Sequence, residues 1–308
     1  MIDAVVAFFI LGALSVALGA KIDFPSGLYK TLSMFLMIAI GLKGGLALQA
    51  HVSSSLLIMS ICVIGFGLAL PFIAYPVLRL VGGFDKINAG AIAAHYGSVS
   101  VATYAVAVAL LEASNISYEA YFPLFVVLLE MPAILVGLVL ARGSLKSVDS
   151  KFIKKELIAN QSIILMLGSL IIGFIGGTSV GKLMPFFAEL FSGILALFLF
   201  KMGIVAANQF QEIKRNGLFL IAFGIFMPCV GGVLGFYLGY LLELSSGGVA
   251  LMATLGASAS YIAVPAAMKV SLPEANSGVS ISASLGITFP FNVMIGVPMF
   301  IALSQYYI

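Results

Sequence analysis

Two short stretches carry most of the residues that can do chemistry. The first is Ala94 to Thr103, AHYGSVSVAT, and the second lies within Leu255 to Asn276, LGASASYIAVPAAMKVSLPEAN. Each sits in a long apolar run and places a glycine just before Ser-X-Ser. Aligning Ser98 with Ser258 puts Ser100 on Ser260, an offset of 160 residues. Small hydroxyl residues beside a glycine, joined in the second stretch by Pro265, weaken a helix and free backbone N–H and C=O groups. Within a bilayer, such groups persist only where protein buries them or where they line a wet cavity. Hydroxyls and unwound carbonyls suit a hard cation such as sodium, and the N-termini of half-helices suit an anion. Packing is the simpler use for one such motif, because small and hydroxylated residues let helices approach closely. A symmetric pair, each with its own break, favours a binding site.

Other polar residues lie near these stretches. Glu130 falls midway along an apolar run, just before Met131-Pro132. A mid-membrane carboxylate costs about 2.5–3.5 kcal/mol on insertion scales, so it is a functional candidate: a cation ligand, a proton carrier, or half of an internal ion pair with Lys43 or Lys201. Lys43 and Lys201 can attract an anion, snorkel to the headgroups, or pair with Glu130. His95 precedes the first break and reads as a hydrogen-bonded structural residue. Tyr261 and Asn292 are polar positions in or near the second stretch.

These residues must be held by membrane helices. The chain has 308 residues, 62% hydrophobic and 9% charged, with a mean hydropathy of +1.18. Soluble domains run at about 45–50% apolar and about 25% charged, so this is a polytopic membrane protein. The net charge of +3 forms no basic, aromatic-interleaved patch for nucleic acid. Cys62 and Cys229 sit in apolar spans and read as small buried hydrophobes. Two cysteines and two histidines supply no metal-ligand cluster. No Ser-His-Asp arrangement, nucleophile elbow or Walker lysine is present, so neither hydrolysis nor nucleotide-driven work is expected and no cofactor is called for beyond a coupling ion. The first apolar run lacks a basic leader and reads as a retained span. With no tryptophan, interfacial belts rest on tyrosines such as Tyr306 and Tyr307.

Ten spans fit the hydropathy, at roughly 3–20, 28–48, 54–81, 86–112, 119–142, 161–178, 187–207, 216–242, 247–270 and 277–305. The fourth is expected to break near 97–100 and the ninth near 256–265. One hydrophilic connector, 143–160, is flanked by Arg142 and contains Lys146, Lys151, Lys154 and Lys155 against Asp149 and Glu156. Excess Lys and Arg mark the cytoplasmic side. Alternation then puts Lys21, Lys30, Arg79, Lys86, Lys214, Arg215 and Lys269 inside, and Glu112, Glu119, Glu243 and both termini outside.

The connector divides the chain into 1–142 and 161–308, five spans each. Five is odd, so the second half is expected to cross the membrane inverted. Lys43-Gly44-Gly45 matches Lys201-Met202-Gly203 and Met131-Pro132 matches Phe289-Pro290, both at an offset of 158. Tyr118-Glu119-Ala120 matches Pro273-Glu274-Ala275 at 155. Inverted repeats with paired broken helices are an architecture of secondary transporters.

The motifs resemble the sodium-dependent bicarbonate transporter family best known from cyanobacteria. The likeness runs through Gly41-Leu42-Lys43-Gly44-Gly45-Leu46-Ala47, Tyr96-Gly97-Ser98-Val99-Ser100, Leu110-Leu111-Glu112, Glu130-Met131-Pro132-Ala133, Ala257-Ser258-Ala259-Ser260 and Leu272-Pro273-Glu274-Ala275-Asn276. It implies two inverted five-helix repeats, gate and core domains, a homotrimer and elevator-type sodium–bicarbonate symport in a bacterial inner membrane. It implies substrate at Ser98, Val99, Ser100, Thr103, Ser258, Ala259, Ser260 and Tyr261, with sodium at Glu130, Thr103 and Ser260. Tyr261 stands where the family has an Asp, Glu130 stands for another Asp, Lys43 replaces an uncharged residue, and Val101 and Ala102 replace a Gly and a Ser. The family's Ser-Gly-Pro-Pro becomes Ala263-Val264-Pro265-Ala266. The central loop is shorter than in the cyanobacterial proteins, which argues against their PII-like regulatory partner. Another small anion, proton coupling through Glu130, a passive channel and a non-transporting sensor are the alternative functions.

Overall fold

In the computed structural model, residues 3–20, 22–25, 27–49, 53–144, 160–209 and 217–308 are described. Lys21, Lys214, Arg215 and connector residues 145–159, with their basic cluster, lie outside the described residues. Every regular element among the described residues is a helix. Before residue 145 the helices are α1 (Ala4–Ala17), α2 (Leu28–Leu48), α3 (Ser54–Pro76), α4 (Lys86–His95), α5 (Val101–Ala113), α6 (Phe122–Glu130) and α7 (Pro132–Arg142). After residue 159 they are α8 (Gln161–Gly181), α9 (Met184–Asn208), α10 (Leu218–Leu241), α11 (Ser246–Ala257), α12 (Ala263–Ser271) and α13 (Ser277–Tyr307).

Short polar residues start several of these helices. Asp3, Ser53, Asp85, Ser100, Asn160, Ser245 and Asn276 each accept a hydrogen bond from an otherwise unpaired N–H in the first turn. Among the described residues, six helical runs are long and apolar enough to cross a membrane: α2, α3 with its continuation to Val81, α6–α7, α9, α10 and α13. Cys62 and Cys229 are free thiols, and Tyr306 and Tyr307 are exposed.

The helices sort into two packing groups. In one, α2 lies along α8 and α1 along α9, with α9 also touching α2. In the other, α4 packs on α7 and α3, α10 on α11, and α11 on the end of α13 and on α5. The two groups meet along a thinner border.

The crossings of the first group are close because glycine leaves room for backbone. A Cβ on Gly45 of α2 would strike the Leu170 carbonyl oxygen and lie 2.8 Å from the Phe174 nitrogen of α8. A Cβ on Gly203 of α9 would strike the Phe9 carbonyl oxygen and lie 2.8 Å from the Ala13 nitrogen of α1. The reverse contacts correspond too, Gly173 to the Leu42 carbonyl and Gly12 to the Phe200 carbonyl.

Three elements are more irregular than the hydropathy suggests. The fifth predicted span divides at Met131, because Pro132 lacks the N–H to continue the ladder and instead opens α7. The tenth carries π-helical turns at Ser282–Thr288 and Asn292–Gly296, on either side of Pro290. The sixth bends at Gly177 (φ 48°, ψ −123°), a conformation that favours glycine.

Candidate functional site

Both predicted breaks are present. α4 ends at His95, and the chain runs non-helically through residues 96–100 before α5. Gly97 sits at the bend, where a Cβ would lie 2.7 Å from Pro71 of α3 and 2.8 Å from Ala133 of α7. α11 ends at Ala257, Ser258 is extended (φ −76°, ψ 160°), and α12 begins at Ala263. The second break is thus 258–262, narrower than the expected 256–265. Pro265 falls in the first turn of α12, where its missing N–H costs no helical hydrogen bond.

The two breaks touch. The Ser100 N–H donates to Ser258 Oγ at 3.2 Å, and the Ser260 N–H donates to the His95 carbonyl at 3.0 Å. His95 Nδ1 lies 2.5 Å from the Ser260 carbonyl oxygen. That oxygen only accepts, so Nδ1 carries the proton and His95 stitches the breaks together, as a structural histidine should.

The serines mainly hold the break open. Ser98 Oγ donates to the Glu130 carbonyl at 3.0 Å. Ser100 Oγ caps α5 by accepting from the Thr103 N–H at 3.2 Å. Ser258 Oγ donates to the Leu255 carbonyl at 2.9 Å, and Ser260 Oγ accepts from the Val264 N–H at 3.4 Å. Ser100 is the N-cap of α5, whereas Ser260 lies two residues before Ile262, the N-cap of α12, and reaches a first-turn N–H from there. Val99 and Ala259 are buried at the middle of each break.

Unsatisfied oxygens come from the residues beside the serines. Thr103 Oγ1, the Tyr261 hydroxyl and Asn292 Oδ1 are buried without a well-formed hydrogen bond, though Tyr261 lies close to Ser100. Asn292 Nδ2 donates to the Ala257 carbonyl at 2.7 Å, which ties α13 to the end of α11. The Tyr261 ring meets Phe289 edge-on at 5.2 Å, and Phe289 meets Phe9 of the other packing group at 5.7 Å. Leaving a buried oxygen unpaired costs about 1–3 kcal/mol. Among the described residues five buried side-chain atoms are in that state, and three of them flank the breaks.

Glu130 is buried at the end of α6, next to the first break through its carbonyl. Lys43 pairs with Glu112, on a neighbouring helix within side-chain reach, and Lys201 lies over the Phe24 ring at 5.3 Å from its centroid. The sequence pattern does not reveal a hydroxyl chain behind the site, in which Tyr96 meets Thr288 at 2.9 Å and Thr288 donates to the Gly224 carbonyl at 2.7 Å.

Two half-helices begin at the contact and two end there. The first turns of α5 and α12 present N–H groups and the positive ends of helix dipoles, and α4 and α11 present carbonyls. Such a centre can hold an anion and a hard cation side by side. Compared with known families, residues 4–305 match the profile described as the Na+-dependent bicarbonate transporter superfamily. No curated protein matches the chain.

Proposed function

The chain belongs to the Na+-dependent bicarbonate transporter superfamily, a family of transporters rather than enzymes, and from that premise we propose that it takes up bicarbonate coupled to sodium. The observation that carries this reading is the pair of touching breaks with three buried, unpaired oxygens around them. The anion sits on the N-termini of α5 and α12, near Ser98, Val99, Ser100, Ser258, Ala259, Ser260 and Tyr261. Sodium takes oxygens from Thr103, Ser260 and Glu130, and Asn292 Oδ1 is an added candidate. Sodium is the only cofactor this reading needs. Holding both ions at one junction couples them, since each offsets the charge of the other.

The repeat reading extends to ten spans in two inverted halves, 1–142 and 161–308, with 143–160 as the connector. Beside the six long runs, four shorter apolar helices fall one in each remaining span. The glycine crossings add support. Exchanging Gly45 for Gly203 and Leu42 for Phe200 needs an offset of 158, and exchanging Leu170, Gly173 and Phe174 for Phe9, Gly12 and Ala13 needs 161. One constant shift per helix therefore maps α2 on α8 onto α9 on α1, as a pseudo-two-fold requires.

The two packing groups suit an elevator, with α1, α2, α8 and α9 as the fixed gate and the rest as the moving core. The polar ends support the alternating topology. Arg142 meets Glu274 at 3.5 Å and the Ser271 carbonyl at 2.8 Å, and the Asn276 N–H meets Asn88, all at the end read as cytoplasmic. Glu112, Tyr118 and the Glu119–Ser245 contact gather at the other. In this reading both termini face outward in a bacterial inner membrane. The resemblance extends it to a homotrimer, and the short central loop argues against the PII-like partner of the cyanobacterial proteins.

The test is uptake of labelled bicarbonate into proteoliposomes under an inward sodium gradient, with potassium in its place as control. Sodium-driven accumulation is expected in wild type and is expected to vanish in Ser98→Ala and Ser260→Ala proteins that still purify as folded species. Wild-type accumulation in either variant, or the same flux in potassium, would sink the reading.

A further inference from the structure

Away from the breaks, the border between the two packing groups opens into a cavity of about 350 Å³. Its walls are apolar and include Ala39 of α2, Tyr104 of α5 and Phe187 of α9. Tyr104 lies one helical turn beyond Ser100, so the cavity leads from the end of the bundle toward the first break. Three polar side chains stand together in it: Lys43, Glu112 and Tyr118.

Their geometry is that of an occupied anion site. Lys43 Nζ and the Tyr118 hydroxyl both donate to one oxygen, Oε1 of Glu112, the tyrosine at 2.8 Å. Lys43 Nζ also lies 3.3 Å from the Tyr118 oxygen and 5.9 Å from that ring's centroid. Burial, with Tyr104 and Glu112 adding to it, pushes the Tyr118 pKa up, so the hydroxyl stays a donor. Lys43 belongs to α2 in one packing group, and Glu112 to α5 in the other. Both side chains are about half exposed, at 53% and 43%. An ion pair that open to water contributes little to stability, so the fold does not need it. A volume of this size is that of a ligand site.

We propose that Lys43 and Tyr118 form an outer docking site for a small carboxylate-like monoanion, and that the Glu112 carboxylate occupies it until an incoming anion displaces it. This deepens the uptake reading and rests on it for the direction of travel. Bicarbonate, formate and acetate share with the Glu112 head group a trigonal carbon, two coplanar oxygens and one negative charge. An arriving anion can therefore take over both donors without new geometry. Glu112 is half in water, so its head group is rehydrated when it swings away, and the incoming anion takes up the Tyr118 hydroxyl that it leaves. While it stays, its charge opposes the anion, so it sets a lower affinity than the bare donors would give. Displacement also removes a polar tie between α2 and α5, the two sides that an elevator must slide past each other.

The experiment uses full-length protein in two assays. One is the concentration dependence of labelled bicarbonate uptake into proteoliposomes. The other is the thermal stability of detergent-solubilised protein titrated with formate against chloride at fixed ionic strength. Lys43→Gln is expected to raise the bicarbonate KM roughly tenfold with the maximal rate within about twofold, as the loss of one charge-assisted hydrogen bond predicts. Glu112→Gln is expected to lower KM roughly three- to tenfold, and the half-effect concentration of formate should move the same way in both variants. If Lys43→Gln does not fold, Lys43→Arg and Tyr118→Phe take its place, the first expected to retain docking and the second to weaken it. A wild type that accumulates bicarbonate while neither variant moves KM, or a Glu112→Gln protein with a raised KM, overturns the docking site and leaves the uptake reading standing. A wild type that accumulates no bicarbonate but is stabilised by formate through Lys43 does the reverse. No formate effect together with no transport removes both.

Discussion

The two glycine-lined helix crossings resemble each other closely, and the two helix breaks do so much less. The crossing of α2 with α8 and that of α9 with α1 each set a glycine of either helix against a carbonyl oxygen of the other, and a hypothetical Cβ on Gly45 or Gly203 approaches a backbone nitrogen to the same 2.8 Å. The two breaks share only a serine that accepts from a first-turn N–H of the next helix. The first adds His95 and Thr103, and the second adds Tyr261 and the link to Asn292. A helix crossing is a requirement of shape, and shape is met in the same way twice. A binding site for two ions of opposite charge has no reason to be symmetric, because its two halves offer different groups. The like part is the scaffold, and the unlike part is where the chemistry is expected.

The largest expected effect tests the scaffold. Gly45→Val and Gly203→Val each push a side chain into a backbone carbonyl that cannot move without its helix, a cost of about 3 kcal/mol or more. Both are expected to lose the monodisperse folded protein to a similar degree on fluorescence-detected size exclusion. If one is tolerated and the other is not, the equivalence of the crossings fails.

Next comes a test of the asymmetric part. Thr103→Val keeps the shape and removes a buried hydroxyl that has no partner. Its stability without sodium is expected to equal or exceed that of wild type by about 1 kcal/mol. Stabilisation by sodium, which for wild type would reach about 2.7 kcal/mol at a hundredfold excess over Kd, is expected to fall away. Melting curves with sodium or choline read both quantities. An undiminished sodium shift would move the cation elsewhere.

The smallest effect sharpens the same contrast at a structural position. Asp85 and Ser245 cap α4 and α11 at an offset of 160 residues, one charged and one neutral. Hydrogen bonds from the Asn88 side chain and backbone hold the Asp85 pKa below its usual 3.8, with partial burial opposing them. A lowered folded-state pKa gives stability that is present above the unfolded value and lost as pH falls through the folded one. Asp85→Ala and Ser245→Ala are each expected to cost about 0.5–1 kcal/mol at pH 7. Only the Asp85→Ala deficit should shrink as pH falls below 3.8 and disappear below the lowered folded-state pKa, as measured by urea or thermal unfolding across that range.

Much of the site was legible from local pattern. The Gly then Ser-X-Ser spacing located both breaks to within a few residues, because a helix interrupted in an apolar run needs small and capping residues there. Pro265 made the second break look wider than it is, since a proline one turn into a helix and one inside a break read alike in sequence. Pro132 and Pro290 were visible as matched residues, but their consequences differ, a clean division at Met131 and π-helical turns around Pro290.

The sequence by itself determined the membrane class, the spacing of the breaks and the motifs of the family. These are properties of composition and of near neighbours along the chain. Tertiary structure decided which polar groups are spent and which are free. Ser98 is engaged by Glu130, His95 by Ser260 and Lys43 by Glu112, across 32, 165 and 69 residues of chain. A hydrogen bond has a reach of about 3 Å, so its partner is fixed by how helices cross and not by how far apart the residues lie in sequence.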